Sequence, residues 1–386
     1  MIDFTPTEEQ QSLVTMVRRF VQSEIVPLEM DLDPDAGQLP VEIHDRLASR
    51  VEQMGLRAWD APAEVGGPGL DTVTQALLAM EMSQHRAGLY APCYGVFGGA
   101  GLAHLYEASE DQKKRYLYPT LCGERSGFFA LSEPSGGSDP ARAIRTTAVR
   151  DGDDWVLNGT KLWISGADHA DYGIVVARTS PGRGGITSFI IDADTPGFSV
   201  RRIVHTLRST YPATELGFED ARVPDANRLG AVGQGFALAA DRLVRQRIPY
   251  SAGCVGVAVA AHRLAVEYAK SRETFGKPLA SQQGVQWMLV DNEVDIRISR
   301  LLVLEAAAKA DAGGDVRTEA AVAKLFTTEA ASRVVDRSMQ IHGGLGVAKD
   351  FPFERWYREM RIRRIGEGPN EVQRLLITRH VLSGRA

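Results

Sequence analysis

A chain of 386 residues can bury a large core and has room for two or three compact domains. Its 44 Lys and Arg against 49 Asp and Glu leave a formal charge of -5 with no block of one sign, which argues against a dedicated nucleic-acid surface; no stretch has the length and uniform apolarity of a membrane span. Cys93, Cys122 and Cys254 lie too far apart for a Cys-x-x-Cys pair, so neither a disulfide scaffold nor a cysteine-rich zinc site is expected, and no metal is assigned.

The opening MIDFTPTEEQQ is acidic where a secretory signal would be basic and then apolar, so the expected location is the cytoplasm. Residues 1 to about 122 read as helical. In TPTEEQQSLVTMVRRFVQSEIV, Leu13, Val14, Met16, Val17, Phe20 and Val21 recur near helical spacing; Thr5 or Thr7 can cap the start, and the acids that follow suit the positive end of the dipole. A second run, TVTQALLAMEMSQ, follows the turn-like PAEVGGPGLD, and a break at Ala108-Ser109 precedes a short charged helix. From 123 to 234 the pattern changes to short apolar runs such as YGIVVARTS, SFIIDA and LGFEDARV, separated by Gly, Pro and Asp-Gly turns, and a small β-sheet domain is expected. From 235 to 386 helices return and lengthen, with Gly313-Gly314 and Gly343-Gly344 as stops, and their apolar faces are most simply satisfied by a four-helix bundle. The fold class is therefore α+β: an amino-terminal helical domain, a middle sheet domain and a carboxy-terminal bundle.

Five clusters carry candidate chemistry. In Leu131-Ser132-Glu133-Pro134-Ser135-Gly136-Gly137-Ser138-Asp139 the proline and the two glycines shape a loop whose amides and hydroxyls suit a ring edge or a phosphate; an ordinary surface turn reads the same way, and the mononucleotide phosphate-loop pattern is absent. In WVLNGTKLWISG, Asn158-Gly159 fits a hairpin turn that would set two aromatic-bearing strands side by side, with Trp163 either a core residue or a cofactor wall. Arg272, in SRETFGKPL, offers a guanidinium fork for a pyrophosphate or else ends a helix in solvent. Gln340-Ile341-His342-Gly343-Gly344 closes one long helix. Finally, Arg364-Ile365-Gly366-Glu367-Gly368-Pro369 places a carboxylate between two glycines ahead of an apolar helix, where it can project into a cavity or lie at the surface.

These clusters, in this order, resemble the acyl-CoA dehydrogenase family over essentially the whole chain, through FFALSEPSGGSD, WVLNGTKLWISG, FEDARVP, SRETFGKPL, MQIHGGLG and IGEGPNEVQR. The resemblance implies FAD at the junction of sheet domain and bundle, an acyl-CoA substrate, an electron-transferring flavoprotein as acceptor and a homotetramer. By the same resemblance Phe129, Leu131 and Ser132 line the isoalloxazine, with Trp163 and Ser165 on its other side, and Ser138 lies along the thioester arm. Arg272, Thr274, Phe275, Gln283, Gln340, Gly343 and Gly344 hold the pyrophosphate and adenosine half, partly across a subunit boundary. Glu367 falls at the base position, and Arg247 takes the place of an arginine close to base and substrate.

The implied reaction is α,β-dehydrogenation to a trans-2-enoyl-CoA. A proton beside a thioester carbonyl is weakly acidic, which is why a positioned carboxylate is needed. Some relatives supply the base from the helix that carries Arg247, but the position here is Gln246, which cannot accept the proton. Gly366 stands where many relatives carry tyrosine, so it implies either a wide acyl cavity or a special backbone angle; Pro369 replaces a frequent threonine, and Ser132 and Ser165 are smaller versions of threonines. Other activities on the same scaffold are an acyl-CoA oxidase, an enoyl-CoA reductase, or a catalytically silent flavin- or CoA-binding protein.

Overall fold

The computed structural model describes residues 5–98, 103–182, 184–208 and 210–384. Helix α1 (Glu8–Phe20) starts at a capping box in which Thr7 and Gln10 exchange hydrogen bonds, and its buried face carries Val14, Val17 and Phe20. It is followed by α2 (Val41–Gln53) and α3 (Thr72–Met82), the latter capped by Asp71 and buried on nearly every side. Ser109 caps α4 (Glu110–Gln112), which leads through a π turn into α5 (Tyr118–Leu121).

Strands β1 (Gly127–Ala130), β2 (Thr147–Asp151), β3 (Asp154–Ser165), β4 (Tyr172–Arg178), β5 (Ile186–Asp192), β6 (Phe198–Val204), β7 (Ala213–Pro224) and β8 (Arg228–Leu229) form one sheet, with α6 (Pro140–Ala143) between β1 and β2. The order is β6-β7-β3-β2-β4-β5-β8, with β1 added parallel to β4. The runs in β4 and β5 are buried on both faces, which explains their continuous apolar character. The expected turn at Asn158-Gly159 is corrected: β3 runs straight through it, and the chain reverses at Gly152-Asp153, with Asp151 opposite Asp154. Asn158 instead exchanges hydrogen bonds with Asp220 beside a bulge, and Gly159 is required because a Cβ there would stand 2.6 Å from the Thr146 backbone.

Then follow α7 (Gly235–Ser271), a tight hairpin of β9 (Glu273–Thr274) and β10 (Lys277–Pro278), and helices α8 (Gln283–Asp311), α9 (Arg317–His342), α10 (Phe353–Arg363) and α11 (Asn370–Leu382). Helix α9 packs on α8, α10 and α11, and α8 also receives α3. Alanines of α7, α8 and α9, such as Ala261, Ala307 and Ala323, are fully buried, so small side chains set these helix contacts. By compactness the chain forms two units, Met1–Leu47 with Leu70–Val96 and Val244–Ala386, and Ala48–Gly69 with Phe97–Leu243. Residues 1–122 thus contribute to both. Among the described residues no helix is long and apolar enough to cross a membrane.

Candidate active site

The Glu367 loop joins α10 to α11 in the first unit. The amides of Ile365 and Gly366 both donate to the Ile362 carbonyl, and the Asn370 amide returns to the Arg364 carbonyl at 3.1 Å. Between these anchors Glu367 and Gly368 are both left-handed, with φ of 53° and 86°. A glutamate held there costs of order 1–3 kcal/mol, which the surrounding bonds must hold in place. Lys324, fully buried on α9, supplies many of them: its Nζ donates to Gly368 O at 3.0 Å, Asn370 Oδ1 at 2.9 Å and Arg364 O at 3.4 Å. Burial, reinforced by the charges of Arg247 and Arg363 and opposed by Cys254 and Glu367, pulls this ammonium down to about 8. Gln373 also donates to Gly368 O.

The loop backbone is therefore held while the Glu367 carboxylate is left available: its Oε2 is buried and has no hydrogen-bond partner among the described residues. Arg247 donates from Nε to the Glu367 carbonyl at 3.4 Å, and its buried Nη1 likewise has no partner among the described residues. Burial lowers the Arg247 guanidinium from its ordinary value, with the Glu367 charge opposing. Gly366 departs from both sequence expectations. It is not left-handed, and a Cβ on it would stand 2.7 Å from Tyr250 Oη, so the room expected beside it is taken on that side by a phenol reaching over from α7.

In the second unit the loop after β1 rests on a buried ion pair. Glu133 Oε1 accepts from Lys161 Nζ at 2.7 Å and from the Thr146 amide, Oε2 accepts from the Arg145 amide, and Lys161 also reaches the Leu131 carbonyl. Burial alone would raise the Glu133 carboxyl, but Lys161 and these hydrogen bonds outweigh it and hold it below the usual range. The Leu162 amide donates to Ser132 O at 2.9 Å, which joins this loop to the Trp163–Ser165 stretch of β3. Trp163 sits on a bulge with φ of 68° and is 56% exposed, so it is not a core residue. Ser165 is exposed and accepts from Arg208. Phe129 stacks on His104 at 4.6 Å, whereas the Leu131 side chain packs into the core against Ile144 and Val176, leaving only its backbone for a ligand. Ser138 is exposed on the loop.

The third group assembles at one end of the helices of the first unit. Tyr268 of α7 stacks on His342 of α9 at 4.4 Å, and Ile341 packs with Ala265, Ala269 and Leu279, which brings the Arg272 turn beside the end of α9. Arg272, Gln283 and Gln340 are exposed, Phe275 is 97% exposed at the hairpin turn, and the Thr274 hydroxyl is buried without a partner among the described residues. A Cβ at Gly343 or Gly344 would meet nothing within 4 Å, so the backbone there is open to approach.

Models of the acyl-CoA dehydrogenase amino-terminal, middle and carboxy-terminal domains match residues 7–124, 128–221 and 233–382. The chain belongs to the acyl-CoA dehydrogenase family. Among its relatives, an acyl-CoA dehydrogenase of Bacillus subtilis (strain 168) is 37% identical over 98% of this chain and 99% of its own. An acryloyl-CoA reductase (NADH) of Anaerotignum propionicum is 36% identical over 99% of this chain and 96% of its own. The structure of PigA with FAD and proline superposes with a TM-score of 0.90 at 25% identity, each chain being covered completely.

Within this acyl-CoA dehydrogenase family member, sequence reasoning passed over the groups that hold the loops: Glu133 and Lys161 in one unit, Lys324, Asn370 and Tyr250 in the other. A signal existed for Lys324, the one cation among the alanines of AAVAKLFTTEAA, where a helix face that otherwise buries small residues carries an ammonium that must find oxygen partners. Tyr250 had no such signal, because its meeting with Gly366 joins positions 116 residues apart.

Proposed function

We propose that this protein binds FAD and removes two hydrogens from a saturated acyl-CoA thioester, giving the trans-2-enoyl thioester, with Glu367 as the base. The observation that carries the reading is the buried, unpartnered Glu367 Oε2 on a loop whose neighbouring polar groups are tied down. The residues fit the cofactor of the PigA complex. An orphaned Thr274 hydroxyl, an exposed Arg272 guanidinium and the open backbone at Gly343-Gly344 suit a pyrophosphate and adenosine, and an exposed Trp163 beside the Ser132 loop suits an aromatic ring system.

In this scheme Glu367 takes the α-proton onto its carboxylate while the C–H electron pair moves into the thioester as enolate charge. Arg247 lies beside the Glu367 carbonyl and through its unpartnered Nη1 offers a donor to developing negative charge. Lys324 stops the loop from relaxing as the carboxylate gains its proton. Bound FAD would supply the acceptor for the β-hydrogen and its electron pair. We further propose an electron-transferring flavoprotein as onward acceptor, and a homotetramer that covers the exposed stripe Trp287, Val290, Val294, Ile298 and Leu301 along α8.

The test is anaerobic mixing of the purified yellow protein with a panel of saturated acyl-CoA thioesters. Bleaching of the flavin absorbance supports dehydrogenation, whereas a flavin that no thioester bleaches sinks it and favours a silent binding protein. Comparing oxygen with an electron-transferring flavoprotein as reoxidant then separates dehydrogenase from oxidase. The 36% identity to an acryloyl-CoA reductase favours including the reverse assay, with reduced flavin and an enoyl thioester.

A further inference from the structure

Arg363, the last residue of α10, is 6% exposed, and its guanidinium carries neither an ion pair nor a hydrogen bond among the described residues; its Nε is buried and unpartnered. It lies against two phenol rings, 4.0 Å from the centre of Tyr250 and 4.6 Å from that of Tyr90. The acid one turn earlier, Glu359, gives Oε1 to Arg355 at 3.0 Å; its Oε2 is buried, and its charge bears on Arg363 without a hydrogen bond to it. Tyr250 links this cation to the base: its hydroxyl donates to the Arg363 carbonyl at 3.1 Å and fills the space beside Gly366, the residue before Glu367. Three buried cations, Arg247, Lys324 and Arg363, thus share one region with two carboxylates, Glu367 and a Glu359 already bound on one oxygen by Arg355. Lys324 reaches three oxygens and Arg247 one carbonyl, whereas Arg363 has ring faces and the Glu359 charge but no hydrogen-bond acceptor among the described residues.

A buried guanidinium without an acceptor is costly, and aromatic faces return only part of its lost hydration. The missing complement is a planar group with two anionic oxygens, which matches the fork of an arginine. We propose that Arg363 reads a carboxylate carried by the acyl chain, so that the preferred substrate is the mono-CoA thioester of a dicarboxylic acid. Tyr250 and Tyr90 form the walls that keep water from the pair. The proposal rests on the acyl-thioester reading above and adds the chemistry of the acyl end. An acyl chain ending in methyl would leave the guanidinium without a hydrogen-bond acceptor, which is discrimination by penalty as well as by attraction.

The experiment compares pairs of CoA thioesters matched in length, one ending in methyl and one in carboxylate: butyryl with succinyl, pentanoyl with glutaryl. Binding is followed by anaerobic calorimetry and turnover by flavin bleaching. Wild type should favour the carboxylate member of at least one pair by at least about tenfold in kcat/KM. Arg363→Gln should cut that ratio by about 100-fold, the scale of one lost charged hydrogen-bonded contact. Arg363→Lys should restore part of it, and Arg361→Gln, an exposed arginine on the same helix, should leave it as in wild type. Should R363Q not fold, the wild-type preference and the R363K ratio still decide. Methyl-ended thioesters that bind and react better than both carboxylate partners overturn the subsite alone, as does a ratio that R363Q does not move. If no thioester of either kind binds, the acyl-thioester reading falls with it.

Discussion

The loops around Glu133 and Glu367 are built from the same parts and put them to opposite use. Each is a glycine-containing turn with a glutamate, and each rests on a fully buried lysine. In the first, Lys161 binds the carboxylate itself and two amides complete its coordination, so the acid is consumed in holding the loop. In the second, Lys324 binds two carbonyls and the Asn370 side chain, so the backbone is held and a carboxylate oxygen stays unpartnered. A buried lysine can thus either silence an acid or support one. Which it does depends on whether its reach ends at the side chain or at the backbone.

The sharpest way to break this contrast is to neutralise each acid in turn. Glu367→Gln should leave the fold in place and lower flavin reduction by about 10²–10⁴-fold, the usual contribution of a positioned base, as read by stopped-flow absorbance. Reduction near the wild-type rate would return Glu367 to the structural class of Glu133. Lys161→Met should act on stability, since it leaves the Glu133 carboxylate buried without its counter-charge; a loss of about 3–5 kcal/mol is expected in denaturant titration. The double variant E133Q/K161M should recover part of that loss, and its failure to do so would show that the lysine matters chiefly through the Leu131 carbonyl.

A smaller effect belongs to Gly366. Adding one methyl in G366A places a Cβ against Tyr250 Oη and should cost about 1–3 kcal/mol or an equivalent loss of alignment at Glu367. Tyr250→Phe in the same chain should relieve it, because the clash is with the hydroxyl. If G366A is harmless alone, Tyr250 moves freely and does not limit the space beside the base.

The smallest effect is on acid stability. The Glu133 carboxyl titrates lower in the folded chain than in the unfolded one, so its stabilisation is complete above the unfolded range near about pH 4.3 and declines as pH falls through the folded value. The melting temperature of wild type should therefore drop more steeply below about pH 5 than that of E133Q. Parallel curves would mean that this pair contributes little to the acid limit.

Much of this was legible in the chain itself. Helical spacing from Leu13 to Val21, the doubly apolar runs of β4 and β5, and the alanine-rich helices after Gly235 follow from periodicity and composition, because each element's pattern reports which of its faces is covered. The ordered motifs pointed to the family, and the resemblance they carry is what put Glu367 forward for the proposed base. The hairpin at Asn158-Gly159 failed because a strong local turn signal yielded to pairing on both sides of β3, where a bulge could absorb the pair and Asp220 could bind the asparagine. The tertiary structure alone decided what surrounds the chemistry: that Lys161 neutralises Glu133, that Lys324 spares Glu367, and that Tyr250 fills the place beside Gly366 while it faces Arg363. Those meetings span from 28 to 116 residues of chain. Local patterns encode the exposure of a side chain but not the identity of the partner that packing brings to it.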